Sequence, residues 1–258
     1  MSNIYCIGDL HGDYDRLIEL LVQYNIIDNQ NNWIAGDSKL IFTGDATDRG
    51  NKGIEVIELL MNLEKKAKNH GGDLIALCGN HDALILARAY EMQGYDVDWQ
   101  CSEVFYINGG REDEARIVAD NPEIFEWFKN RPLIWKEGKY LFQHADSVRC
   151  YKELAHTIDE INQIGHNALH NPIGAWQLFC RITDARYWDE YIHRNKQSEQ
   201  QYIEDYLSIF DCECVFHGHT RFIGNNPVYS HNNRTCNIDG SMSCGYRNDS
   251  DRGFIVEL

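Results

Sequence analysis

Short apolar runs of four or five residues recur along the chain, and most are followed by apolar positions spaced three and four apart. Ile4 to Ile7 is the first run, and Tyr14, Leu17, Ile18, Leu21 and Tyr24 after it fall on one stripe of a helix. Leu40 to Thr43 precedes a second stripe, Ile54, Ile57, Leu60, Met61 and Leu63, which Gly71 and Gly72 end. Leu74 to Cys78 leads into a helix over Ala83 to Tyr90. Further strands are expected at Tyr140 to Gln143, Cys214 to His217, Thr235 to Ile238 and Phe254 to Leu258. A loop rich in Gly, Ser, Asn and Asp joins the last two, which are expected to close a second sheet. Strands that alternate with helices specify an α/β fold with a buried sheet. Two stretches, Glu91 to Arg131 and Ser147 to Asp211, hold Trp99, Trp127, Trp176 and Trp188 and show no strand alternation. They are expected to be mostly helical insertions that roof the sheet's edge. No repeat, low-complexity tract or linker divides the chain, so residues 1–258 are read as one domain.

Composition narrows the classes of function. The 258 residues include 24 Lys and Arg against 40 Asp and Glu, a net charge of −16. Binding to a nucleic-acid backbone draws on basic stripes, and none occurs, so that partner is excluded. The acidic surplus has two sources: a solvated surface, and carboxylates neutralised by metal ions. Hydrophobic content of 43% with 4 Pro excludes a disordered or fibrous chain. No apolar run approaches the ~18 residues of a membrane span. Met1 to Asp9 enters an apolar run with no basic leader, and the 9 Cys include no CxxC pair. The expectation is a reduced, cytoplasmic protein without a signal peptide or membrane anchor.

The exits of five strands carry the chemistry. Ile7 runs into Gly8-Asp9-Leu10-His11-Gly12, Thr43 into Gly44-Asp45-Ala46-Thr47-Asp48-Arg49-Gly50, and Cys78 into Gly79-Asn80-His81-Asp82. Gln143 runs into His144-Ala145-Asp146, and His217 into Gly218-His219-Thr220. Loops that leave the carboxyl ends of strands share one edge of a sheet, so these Asp, Asn and His residues are expected to converge. Any one of them alone is a turn or helix cap. Five sets together make a site of carboxylate, imidazole and amide oxygen, the donors of hard-to-borderline divalent ions. Asp9 and His11, two apart at a strand end, can face one ion; Asp45 can bridge to a second, which Asn80, His144 and His219 complete.

In this order, Gly8-Asp9-x-His11-Gly12, Gly44-Asp45-x-x-Asp48-Arg49-Gly50 and Gly79-Asn80-His81 resemble the signature motifs of the PPP-type protein phosphatases within the calcineurin-like metallophosphoesterases. Asn108-Gly109-Gly110, His144-Ala145-Asp146 and Gly218-His219-Thr220 are similar to the lambda phage phosphatase and its bacterial relatives. Asp13-Tyr14-Asp15, Trp33 to Asp37 and Gly71-Gly72 look like the Shewanella-type branch, and Ile238-Asp239-Gly240 resembles the family's final strand and turn. The resemblance implies a four-layer sandwich: two mixed β-sheets flanked by helices, with helical insertions.

It also implies that Asp9, His11 and Asp45 hold one metal while Asp45, Asn80, His144 and His219 hold the other, manganese foremost, with iron or zinc as substitutes. Arg49 would grip the phosphoryl group, and His81, held by Asp48, would be the general acid, with Asn80 also at the substrate. A second arginine is expected between the fourth and fifth motifs; Arg181 lies nearest and Arg186 is its rival. The implied activity is hydrolysis of a phosphomonoester, on a phosphorylated protein or a small phosphoester, by in-line attack of a metal-activated hydroxide. A dinucleoside polyphosphate hydrolase or phosphodiesterase is the alternative, and an inactive binding module the remote one. Two departures bear on substrate class: Asp82 stands where Glu is usual, and Ala145-Asp146 where many relatives have Gly-Gly. His166 and His170 are i, i+4 on an expected helix, but no third ligand is near in sequence, so packing is the preferred reading. His217 is expected to be a buried neighbour of the site, and Cys212-x-Cys214 lacks metal spacing.

Overall fold

Alternation along the expected strands assigns each residue to one of two cores. The computed structural model describes residues 3–183, 199–245 and 252–258. In it β1 (Ile4–Ile7), β2 (Lys39–Phe42) and β3 (Asp73–Ala76) run parallel in the order β3-β2-β1, and β9 (Ile255–Glu257) adds antiparallel to β1. A second sheet has the order β4-β5-β6-β8-β7, from β4 (Ile134–Glu137), β5 (Tyr140–Gln143), β6 (Cys214–His217), β7 (Val228–Ser230) and β8 (Thr235–Asn237). Its central strands β5, β6 and β8 are parallel, and β4 and β7 are antiparallel edges. Cys6, Ile41 and Ile75 of the first sheet pack with Phe142, Phe216 and Cys236 of the second in a core between the sheets. Their strand neighbours Ile7, Leu40, Phe42, Leu74, Leu141 and Val215 point the other way, into the helix-lined core. Helices therefore cover the outer faces of two stacked mixed sheets, as the sandwich expectation requires.

The two C-terminal strands do not share a sheet. β8 joins the second, but β9 pairs Cys6 with Val256 and Ile7 with Ile255, in the first. Alternation is the same in either seat, so the pattern of the segment does not choose between them. Two strands escape the sequence pattern for a related reason: β7 is exposed throughout and β4 buries one residue of four, so neither has a buried period-two face.

Following β1, β2 and β3 come α1 (Tyr14–Gln23), α2 (Gly53–Asn69) and α3 (Asn80–Met92). The first insertion forms α4 (Cys101–Ile107), α5 (Glu112–Asp120) and α6 (Pro122–Lys129). The second forms α7 (Arg149–Lys152), α8 (Ile158–Leu169), α9 (Pro172–Thr183) and α10 (Glu199–Ile209). Rather than simply roofing the sheet, α4, α5, α6 and α9 pack on α3. They reach the strand-end edge at Gly109, whose carbonyl accepts the Arg49 N–H at 2.9 Å. Trp127 and Trp176 are buried, Trp99 is 82% exposed, and Trp188 lies outside the described residues.

Helix α2 takes its N-terminal cap from the insertion. Lys52 offers no side-chain cap, and the Gly53 N–H donates instead to Glu114 Oε1 of α5 at 2.9 Å. Burial pushes the Glu114 carboxyl up to about 7, from an ordinary 4.5, with the nearby Asp48 adding to the shift and the Gly53 N–H opposing it. Between those values the folded chain holds a proton that the unfolded chain releases, so this group's stabilisation is full below the lower value and declines as pH rises through the upper. Glu114→Gln keeps an acceptor for Gly53 and removes the titration. Its unfolding free energy should fall less than the wild type's between pH ~4.5 and ~7, by at most ~3 kcal/mol, in denaturant titrations across that range. Equal slopes for the two proteins would remove Glu114 from the account.

Candidate metal centre

The turns that leave the strands are held in a conformation most side chains avoid. His11 (φ 43°), Asp45 (66°), Asp48 (70°), Arg49 (65°) and His219 (67°) all have left-handed backbone, at a cost of roughly 1–3 kcal/mol each. Their neighbours over-determine them. The N–H groups of Leu10 and His11 both donate to the Asp45 carbonyl, at 3.1 and 2.9 Å, and that of Gly12 to Ala46 at 2.9 Å. The buried Asp82 carboxylate accepts the N–H of Gly79 and of Asp45 at 2.8 Å and of Ala46 at 3.0 Å. Asp82 is thus a clamp between the second and third motif turns. It also begins α3 at Asn80, three residues earlier than the apolar pattern places it. Two glycines have no room for a side chain: a Cβ at Gly79 would lie 2.1 Å from Asp45 Oδ1, and one at Gly218 2.1 Å from Asp9 Oδ1.

The six residues expected as metal ligands are buried together at this edge, where loops from both sheets meet rather than from one. Among the described residues, two groups have ligand atoms within 4.8 Å of one another, His11-Asp45-His81 and Asp45-His144-His219, and Asp45 belongs to both. His11 Nε2 lies 3.8 Å from Asp9 Oδ2 and 3.7 Å from Asp45 Oδ2. His144 Nδ1–H donates to the Thr43 carbonyl at 2.9 Å, which turns Nε2 toward Asn80 Oδ1 at 2.9 Å and Asp45 Oδ1 at 3.4 Å. His219 Nδ1 is 3.0 Å from the same Asn80 oxygen. A neutral imidazole nitrogen facing two oxygens is a set of lone pairs with no proton between them. Such a site requires either a second proton on the ring or a cation, and a divalent ion fits its donors.

The electrostatics agree. Burial alone would push the His144 pKa down, yet Asp45, with Asp9 and Asp82 beyond it, pushes it up to about 9. Burial likewise pushes the Asp45 carboxyl up, but His144, His81 and His11 outweigh it and hold it below the usual range. Asp9 is pushed well up, by burial first and the nearby Asp239 second. His11 is held well below its ordinary value, by burial first and His81 second. Carboxylates and imidazoles so poorly served by their surroundings in opposite directions are those a bound cation would relieve.

Beside this centre, His81 Nδ1–H donates to Asp48 Oδ2 at 2.6 Å, and His81 Nε2 accepts from Arg49 Nη2 at 2.8 Å. Arg49 Nη1 lies 3.2 Å from His11 Nε2. The His81 N–H donates to Asp45 Oδ1 at 2.8 Å, so this imidazole and the shared carboxylate are fixed to each other through the backbone. Arg181 lies on α9. Its Nε donates to the Cys150 carbonyl at 3.2 Å and its Nη2 lies 3.6 Å from Glu153, which tethers it to α7, the helix that follows the fourth motif. Arg186 lies outside the described residues.

His166 on α8 and His170, its C-cap, have ring centroids 3.9 Å apart with the rings tilted by 40°, and belong to neither group of candidate ligands. His217 is buried, with Nδ1 3.1 Å from the Gly218 carbonyl. The sequence motifs place Asp239 in the final turn but not at the site, where it is a buried carboxylate pushed up to about 6 by burial, lowered in part by the Ser241 N–H and raised further by Asp45. Sequence reasoning missed the carbonyls of Thr43 and Thr47 that orient His144 and His11. No residue type marks a backbone acceptor in advance; only the spacing from the ligand, across motifs, could have suggested it.

A family described as calcineurin-like phosphoesterase matches residues 2–220. The chain is 26% identical over 251 residues to Shewanella-like protein phosphatase 1 of Plasmodium berghei, covering 94% of this chain and 67% of that protein. It is 26% identical over 178 residues to the symmetrical bis(5'-nucleosyl)-tetraphosphatase of Pasteurella multocida, covering 65% of this chain and 55% of that one. Among solved structures, the cold-active protein-tyrosine phosphatase of a psychrophilic Shewanella species superposes with a TM-score of 0.74 at 22% identity, over 100% of this chain and 75% of the other. That likeness is one of fold.

Proposed function

Because the chain belongs to the calcineurin-like phosphoesterase family, a family of hydrolases acting on phosphoester bonds, we propose that it is a phosphomonoesterase of the Ser/Thr protein phosphatase type that works with two divalent ions, manganese foremost. The observation that carries the reading is the pair of ligand groups sharing Asp45. Asp9, His11 and Asp45 would hold one ion, and Asp45, Asn80, His144 and His219 the other. Bound there, the pair would supply an acidified water as nucleophile and charge stabilisation for the phosphoryl group.

The chain's own groups do the rest. Arg49 is poised over His11 and His81, and a phosphoryl group that takes its two nitrogens frees His81 Nε2 to take up a proton from solvent and pass it to the leaving oxygen. Asp48, which accepts the Nδ1–H, keeps the ring oriented. Arg181 is assigned the second phosphate grip, swinging from Glu153. The phosphoprotein substrate follows the Plasmodium relative, whose match spans most of this chain; the Pasteurella relative supports a dinucleoside polyphosphate as the second reading. A complete ligand set argues against an inactive binding module. The cysteines, none of them in a disulfide, suit a reducing compartment such as the cytoplasm.

Phosphate release across phosphopeptides, dinucleoside tetraphosphates and cyclic nucleotides, with manganese present, tests the assignment. Phosphopeptides should be turned over fastest, chelation should abolish the activity, and manganese should restore it. Preference for the tetraphosphates would favour the second reading, and full activity after exhaustive chelation would overturn both.

A further inference from the structure

We propose that Asp146 and Thr220 form a latch that sets His144 and His219 at one mutual spacing, making Asp146 a positioning residue for the second metal site. The inference rests on the proposed metal centre. β5 and β6 are parallel neighbours in the register Tyr140 to Cys214, Leu141 to Val215 and Phe142 to Phe216. Continued past the strand ends, that register sets His144 opposite Gly218 and Asp146 opposite Thr220. The last backbone rung is the Gly218 N–H donating to the His144 carbonyl at 3.0 Å. Beyond it the chain at His219 turns left-handed and the Thr220 N–H folds back onto the Gly218 carbonyl at 2.8 Å, so the backbone ladder ends. The next rung is made by side chains: Thr220 Oγ1 donates to Asp146 Oδ2, with Asp146 fully buried.

Both sides of this rung are fixed from behind. The Tyr151 hydroxyl accepts the N–H of His144 at 3.2 Å and of Ala145 at 3.1 Å, and Gln143 Nε2 donates to the Ala145 carbonyl at 2.7 Å. On the other side, Asn237 Nδ2 of β8 donates to the Thr220 carbonyl at 2.6 Å. The two imidazoles lie one residue before Thr220 and two before Asp146, with ring centroids 5.0 Å apart. A Gly-Gly after His144 could not make this rung, so this departure from relatives with Gly-Gly has a local structural role. Partners of this kind, which orient ligands without touching the metal, typically govern metal affinity by about 10- to 100-fold.

Manganese binding by the full chain, followed by calorimetry, is the test. The wild type should bind two ions; Asp146→Ala and Thr220→Val should each leave the first dissociation constant unchanged and weaken the second about 10- to 100-fold. The double variant should be no worse than either single one, and Thr220→Ser, which keeps the hydroxyl, should stay within about twofold of wild type. KM for a phosphopeptide at saturating manganese should change less than kcat at limiting manganese. If Asp146→Ala does not fold, the contrast between Thr220→Val and Thr220→Ser decides alone. A wild type that binds one ion would overturn the metal reading and the latch with it. A wild type that binds two, with unchanged constants in the variants or with single losses that add in full, would overturn the latch only.

Discussion

Asp45→Asn should lower kcat by ~10³-fold or more while leaving the fold intact, because the two groups of candidate ligands share this one carboxylate and, in the proposed reading, metal contributions of several kcal/mol go with it. The substitution separates charge from shape. Asn tolerates left-handed backbone as Asp does, so φ 66° at this position is kept. Its side-chain oxygen can still accept the His81 N–H at 2.8 Å. What changes is the other atom: an NH₂ replaces the oxygen that faces His11 at 3.7 Å, and an amide donor there repels a cation. Added manganese should therefore raise the melting temperature of the wild type by mass action and fail to raise that of the variant. His166→Ala, at a half-buried position of α8, and His170→Ala, at its exposed C-cap, should keep nearly full activity and the manganese response. Asp45→Asn retaining both activity and manganese stabilisation would mean that no carboxylate bridges the two groups.

The candidate site is legible in the sequence because each of its residues directly follows an apolar run, and strands and their exits are what periodicity reads best. Asp9, Asp45, Asn80, His144 and His219 group together without any distance between them. Everything set by contacts between distant segments stays hidden. The motif loops come from two sheets, and nothing in the short runs of β5 and β6 distinguishes a strand of one sheet from a strand of the other. β9 has the same alternation wherever it pairs, so its place beside β1 is fixed only by packing Val256 into the core between the sheets. In sequence, Asp82 stands out as a departure that bears on substrate class. Its three N–H partners lie at Asp45, Ala46 and Gly79, and they assign it to holding two turns together. Arg181 stands out by its position along the chain, yet sequence distance carries no direction, and its guanidinium is tethered to Cys150 and Glu153. The turn chemistry itself is half visible: Gly-Asp and Gly-His dipeptides permit left-handed backbone, but the crowding that forbids a Cβ at Gly79 and Gly218 comes from carboxylates contributed by other strands.

His81→Asn should reduce hydrolysis of a phosphoserine peptide by ~100-fold or more, with a visibly smaller loss on p-nitrophenyl phosphate. The difference stems from the leaving groups. A serine alkoxide is too basic to depart unprotonated, whereas a nitrophenolate hardly needs the proton, so an acid matters in proportion to how poor the leaving group is. The position of His81 suits it to supply that proton. Its Nδ1–H is committed to Asp48 at 2.6 Å, and its Nε2, now 2.8 Å from Arg49 Nη2, is the nitrogen on the phosphoryl-binding side. Burial pushes the Asp48 carboxyl up while its hydrogen bond to His81 pulls it down, and Asp48→Asn should show the same pattern more weakly because the ring itself remains. The same geometry offers His81 a rival role, since its ring nitrogen lies within ligand distance of His11 and Asp45. A residue that bound metal or phosphate would serve both substrates alike. Measuring kcat for both substrates in both variants at saturating manganese separates the two roles: unequal losses identify the acid, and equal losses would move His81 into the metal or phosphate site and leave the proton to another group.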